Sequence, residues 1–154
     1  MTSVYDIIDK IKVHLRNHPI VNHVTFGDVT KVDLNKTMMY PLTHFTLDQA
    51  VVTENSIQFR LSFLFIDIVD YSKDFNTDDF GNRQDDTNLL DVYNTQLQVA
   101  NDLISQMKRG QLHQDEFHVL GDPICRPFAD RFENELAGWS VNIDIVVPNN
   151  LSIC

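Results

Sequence analysis

Two sets of carboxylates in this sequence have a spacing that could do chemistry. The first is Asp67 and Asp70, at the end of the apolar run Phe65-Ile66-Asp67-Ile68-Val69-Asp70-Tyr71-Ser72, with Asp122 further on in His118-Val119-Leu120-Gly121-Asp122. One carboxylate at a strand end and another in a Gly-Asp turn would suit a divalent cation held for metal-assisted phosphoryl chemistry. The second set is Asp74, Asn76 and Asp78, with Asp85 at the twelfth position of a loop begun at Asp74. Alternating oxygen donors closed by a late carboxylate are what a calcium loop needs, but the glycine expected at the sixth position is Asp79. The six histidines show no HExxH and no other paired metal-ligand spacing. His14 and His18, four apart near a helix end, read as a solvated face. No serine or cysteine stands in a glycine elbow. No catalytic, cofactor-binding or metal-ligating residue is assigned on these patterns, and no cofactor is expected.

The elements that must position these groups follow from periodicity. Residues 57–70 form the strongest strand signal: Ile57, Phe59, Leu61, Phe63 and Phe65 alternate with Gln58, Arg60 and Ser62. From Phe63 onward the second face turns apolar as well, through Leu64, Ile66 and Ile68. A strand apolar on both faces needs a second cover, from its own chain or from a neighbouring subunit. Residues 3 to about 17 read as an amphipathic helix with Val4, Ile7, Ile8, Ile11 and Leu15 on one stripe, Ser3 and Asp6 at its cap, and Pro19 beyond its end. Residues 23–27 suggest a short strand. Residues 43–53 suggest another, with Phe45, Leu47 and Gln49 on one face, joined to the Ile57 strand by the turn Glu54-Asn55-Ser56. Residues 88–109 form the long helix, with a stripe of Leu89, Tyr93, Leu97, Ala100, Ile104 and Met107 and with Gly110 as its cap. Two short extended pieces flank Gly121-Asp122. Trp139, Val141, Ile143, Ile145 and Val147 then alternate up to Pro148. The expected architecture is a single α+β domain over 1–154, a mainly antiparallel sheet with the N-terminal and long central helices packed on it.

Residues 71–86 are polar and acidic and interrupt this pattern as a loop excursion. Tyr71, Phe75 and Phe80 lie among its acids, and aromatic side chains in polar surroundings are typical anchors of protein contacts. The formal charge of −10 excludes a protein that grips phosphates through clustered Lys and Arg, leaving passive contact with passing nucleic acid. Two cysteines make no disulfide framework. No apolar run approaches the ~18 residues of a membrane span, and the first residues lead into an amphipathic pattern unlike a signal peptide, so no membrane partner is expected.

Three resemblances bear on function. Residues 65–72 resemble the first metal-binding strand of class III nucleotide cyclases. The lysine those enzymes carry before Gly-Asp is His118 here, Pro123 follows the Asp, and their second catalytic half has no room. That resemblance implies a metal-dependent nucleotide-handling enzyme with Asp67 and Asp122 as ligands. The Asp74–Asp85 spacing implies, as a further alternative, a calcium-dependent binding module. Two longer blocks, Tyr40-Pro41-Leu42 with the strand ending Ile66-Asp67-Ile68-Val69-Asp70, and Pro127-Phe128-Ala129-Asp130-Arg131-Phe132 with Leu136-Ala137-Gly138-Trp139 and Ile143-Asp144-Ile145-Val146-Val147-Pro148-Asn149, resemble tail-terminator and neck-ring virion proteins of tailed bacteriophages, in particular crAss-like and related Bacteroidetes phages. This resemblance implies a non-enzymatic subunit, made in the host cytoplasm and built into the tail or neck of the virion. Its expected partners are copies of itself in a ring and adjacent connector or tail proteins.

Overall fold

The computed structural model describes residues 4–28, 39–69, 89–114, 117–131 and 136–149. The candidate calcium loop, Asp70, and Tyr71, Phe75 and Phe80 lie outside these residues, as does the Ser3 cap.

Helix α1, Val4–Arg16, buries Ile7, Ile8, Ile11 and Leu15, while Val4 stays exposed at the helix start. Strand β1, His23–Phe26, lies parallel to β2, Leu42–Val52. An antiparallel hairpin joins β2 to β3, Ser56–Ile68. The Thr53 hydroxyl closes its turn, donating to the Ser56 carbonyl and accepting from the Ser56 N–H. The long helix α2, Leu89–Arg109, leads into the single turn α3, Gln111–Gln114, and then into the short strand β4, His118–Val119. Strands β5, Cys125–Arg131, and β6, Leu136–Pro148, complete the chain. The sheet runs β1-β2-β3-β6-β4, with β5 also paired to β6. It is six-stranded, mostly antiparallel, and the fold is α+β, as the periodicities imply.

The main core lies between one sheet face and the helices. Phe45, Phe59, Leu61, Phe63, Phe65, Val141, Ile143, Ile145 and Val147 meet Ile7, Ile11 and Leu15 of α1 and Val99, Ala100, Leu103 and Met107 of α2. Phe45, Phe63 and Phe65 form a run of stacked rings with centroids 5.2 and 5.9 Å apart. The imidazole of His18, just past α1, donates to Asp102 of α2 at 2.7 Å and ties the two helices together.

Two details differ from the sequence reading. The stripe of α2 is rotated: Val92, Gln96, Val99, Ala100, Leu103 and Met107 are buried, whereas Leu97 is 39% exposed. A polar residue, Gln96, sits on the buried face, which hydrophobic spacing alone does not point to. In β2, a bulge between Leu47 and Gln49 shifts the register, so that Leu47 faces Leu61 while Gln49 faces Arg60. The extra residue, Asp48, turns Gln49 away from the Phe45 face on which alternation places it.

The second face of β3 is covered within the chain. Ile66 and Leu42 are fully buried, in a cluster with Tyr40 and Leu136 against which Met39, Leu64, Ile68 and Phe128 pack. Some residues of each phage-like block meet here: Tyr40, Leu42, Ile66 and Ile68 from the first, Phe128 and Leu136 from the second. Tyr40 reaches this position through a cis peptide bond to Pro41, and Phe128 arrives opposite Gly138 in the β5–β6 ladder.

Candidate functional site

The carboxylates proposed as metal ligands are not brought together. Asp67 stands opposite Ala137. The Asp122 turn is tied to the far part of β6, where the Leu120 N–H donates to the Asp144 carbonyl. The stretch of β6 from Ala137 to Asp144 is about 23 Å long at a strand rise of ~3.3 Å per residue. Asp67 is half-buried; burial raises its carboxyl pKa, and the hydrogen bond it accepts from the Ile68 N–H partly offsets this. Asp122 is fully exposed and pairs with Lys108 at 2.7 Å, which lowers its pKa. The two acids therefore have separate environments. Among the described residues no group of three or more His, Cys, Asp or Glu side chains is placed to hold a metal ion.

Away from the helices, the sheet's outer face changes character along its length. Beyond the Tyr40 cluster it is polar and internally paired. Arg60 binds Asp144 through two nitrogens at 2.9 and 3.3 Å. Ser62 donates to Asn142 at 2.8 Å and lies within hydrogen-bond reach of Asp48, which also accepts from Thr46. These groups satisfy one another across three strands, and each acid has a donor. That arrangement suits a solvated face better than a binding site for a charged ligand.

Exposed apolar side chains are spread over α1 (Val4, Tyr5, Val13), the start of α2 (Leu90) and the two sheet edges. At the β2 edge, Val51 is 45% exposed and Val52 67% exposed near the hairpin tip. Among the described residues β1 pairs only with the first part of β2, from Leu42 to Phe45, so the edge carrying these valines has no strand beside it. The tip itself is held firmly: Asn149 donates to the Thr53 carbonyl from its side chain and to the Asn55 carbonyl from its backbone. At the opposite edge a groove of about 460 Å³ runs between α2 and the β4–β5 connection, lined by Leu97, Gln98, Asn101, Ile104, Pro123 and Cys125 among others. Ile124, 67% exposed, and Leu120, 46% exposed, line a separate pocket with Arg126, Ser140, Asn142 and Asp144 on the outer sheet face. Cys125, half-buried, packs against the main core, and burial raises its thiol pKa. Leu97, read from sequence as core, is exposed on this surface, while Ile104 both lines the groove and packs against the main core.

A scan of protein-family models finds none that matches this sequence, and a search of curated proteins finds no match. Among the described residues no helix is long and apolar enough to cross a membrane.

Proposed function

We propose that this chain is a structural subunit of an oligomeric ring, of the kind found at the head–tail connector, neck or tail end of a tailed phage, and that it performs no catalysis. The observation that carries this reading is the placement of two dissimilar apolar features on opposite sides of one sheet: exposed Val51 and Val52 on the β2 edge, and the groove lined by Leu97, Ile104, Pro123 and Cys125 between α2 and the β4–β5 connection. A head-to-tail contact between two different patches of one molecule generates a ring when the rotation closes. The resemblance of the two sequence blocks supports the same class, and Tyr40, Leu42 and Ile66 of the first pack with Phe128 and Leu136 of the second. An acidic chain suits a subunit around a DNA channel, because negative surface lets phosphates pass without holding them. In this reading the hairpin edge of one copy seats against the groove of the next, and adjacent connector or tail proteins stack on the ring.

The test uses two surface variants, Val52→Asp and Leu97→Asp. The parent protein is expected to give one discrete oligomer by native mass spectrometry and sedimentation, and each variant alone is expected to be monomeric. Mixed together, the two variants are expected to form a dimer, because each keeps one intact patch. A parent that stays monomeric at high concentration overturns the ring. A parent ring with no dimer in the mixture overturns this pairing of patches. Mass spectrometry of purified virions checks the location.

A further inference from the structure

The imidazoles of His113 and His118 meet where α3 turns into β4. Their ring centroids are 5.0 Å apart and their planes stand at 88°. His113 lies in α3 and His118 in β4, and the fold brings them to one spot. The Nδ1 atom of His113 is 3.2 Å from the Phe117 carbonyl oxygen. A carbonyl only accepts, so Nδ1 is the donor in this contact, and Nε2 is the ring nitrogen left to ligate a metal. A backbone carbonyl fixing one ring nitrogen is the usual way in which a metal-ligating imidazole is oriented.

The separation also fits. Metal–nitrogen distances of ~2.0–2.1 Å in a tetrahedral site place two ligating imidazole centroids about 5 Å apart. The two rings line a small cavity of about 270 Å³ with Lys108, Val119 and Gly121. The one cation among these lining residues, the Lys108 ammonium, is engaged by the Asp122 carboxylate at 2.7 Å. Its repulsion of an incoming ion is thereby reduced.

We propose that His113 and His118 form a two-imidazole site for a late first-row divalent cation such as Zn²⁺, with water completing the coordination. Imidazole donors favour zinc, copper and nickel over magnesium or calcium. A bound ion would fasten the single turn α3 to the sheet edge at β4 and stabilise the native chain by mass action. The site is independent of the ring reading, since neither apolar patch contains either histidine.

The experiment is calorimetric titration of the chelator-treated full chain with Zn²⁺, together with thermal unfolding with and without the ion. Saturable binding at one site and a raised Tm are expected. His118→Ala and His113→Asn should each weaken binding by about tenfold or more. The asparagine keeps a donor for the Phe117 carbonyl, so loss of binding there is not loss of the turn, and far-UV circular dichroism checks that both variants are folded. His23→Ala, a histidine remote from the site, should bind like the parent. A Co²⁺-loaded sample should show the visible bands of imidazole ligation, absent in both site variants. No saturable binding by the parent, or binding unchanged in both variants, overturns the proposal and leaves the pair as a ring-on-ring packing contact.

Discussion

Gly138 is the residue whose replacement should unsettle the sheet most for the fewest atoms. It stands opposite Ile66 in the β3–β6 ladder and opposite Phe128 in the β5–β6 ladder, with a strand on each side. A Cβ at this position would overlap the Phe65 carbonyl oxygen and lie 3.2 Å from the Ile66 Cα. Both obstructions are main-chain atoms of the central strand, itself held by β2 on its other edge. No side chain can rotate aside to relieve the clash, so β3 and β6 must part by about 1 Å or more to restore ordinary contact distances. Overpacking that a core absorbs by rotamer changes costs ~1–3 kcal/mol, and a rigid backbone obstruction belongs at the top of that range or beyond. Gly138→Ala is therefore expected to cost about 3 kcal/mol, or roughly 6–12 °C in Tm for a domain of this size. Equilibrium urea unfolding reads the loss through Trp139, the chain's one tryptophan, whose indole N–H donates to the Tyr93 carbonyl at 2.8 Å. Circular dichroism in parallel guards against a purely local signal. Gly121→Ala is the control: Gly121 has φ 65° and nothing within 4 Å of a Cβ, so only backbone strain of ~1 kcal/mol is expected. A loss under about 1 kcal/mol for Gly138→Ala at unchanged m, or an equal loss in the control, refutes the steric argument.

Two pH-linked predictions follow from buried titratable groups. Burial raises the Asp67 pKa, so ionising it opposes folding above its folded value and costs nothing below the ordinary 3.8. Asp67→Asn should therefore stabilise the protein at neutral pH by less than about 1 kcal/mol after allowing for solvent screening, with the gain vanishing as pH falls toward 3.8 in urea titrations. His44 is 2% exposed, accepts at Nδ1 from the Thr25 hydroxyl and donates from Nε2 to the Gly27 carbonyl, both at 2.7 Å. Burial lowers its pKa below 6.5, against the opposing pull of the Gly27 carbonyl and the Asp28 charge, so the unfolded chain takes up the proton first. Stability should fall as pH drops below 6.5, by on the order of 1 kcal/mol, and His44→Gln should remove part of that slope. His14, whose pKa burial and the nearby His18 both lower, should leave a residual slope of the same sign. A parent whose urea midpoint does not move across that range would show that neither imidazole is held neutral.

The parts of the fold that sequence made legible are those in which a single period governs a long element. Strand β3 reads correctly because Phe59, Leu61, Phe63 and Phe65 bury one face without interruption, and β6 does so through Val141 to Val147. Alternation carries no account of a bulge, so it misassigns Gln49 once Asp48 adds a residue to β2. The α2 stripe is misread for a different reason. Hydrophobic periodicity cannot predict that the buried face includes the amide of Gln96 while Leu97 is left outside. The histidine pair was invisible because its spacing of five residues fits no ligand motif on one element; it exists only because α3 ends and β4 begins between the two rings. Asp67 and Asp122 show the converse. Each sits in a motif-like segment, and the strand order sets them apart.

Of the two covers that the doubly apolar part of β3 could have, its own chain supplies the one over Ile66. Ile66 and Leu42 are already buried in the single chain, beneath the turn through Tyr40 and beside Phe128. Burying those two again in a subunit contact would gain nothing. Exposed at the two sides of the sheet are Val51 and Val52 on one and Leu97 on the other. Those side chains have apolar area still to lose, at ~25 cal/mol per Å², and they sit on rigid supports, the Asn149-clamped hairpin and the middle of a long helix. Rigid, dissimilar and oppositely placed patches give up little conformational freedom on contact and favour one orientation of neighbour over another. In the proposed ring, the Tyr40 cluster would hold β2, β3 and β6 together so that the two edges keep a constant angle. Ile66→Ala, which loosens this cluster, is then expected to lower the oligomer fraction in native mass spectrometry as well as the Tm, although Ile66 is buried inside its own chain.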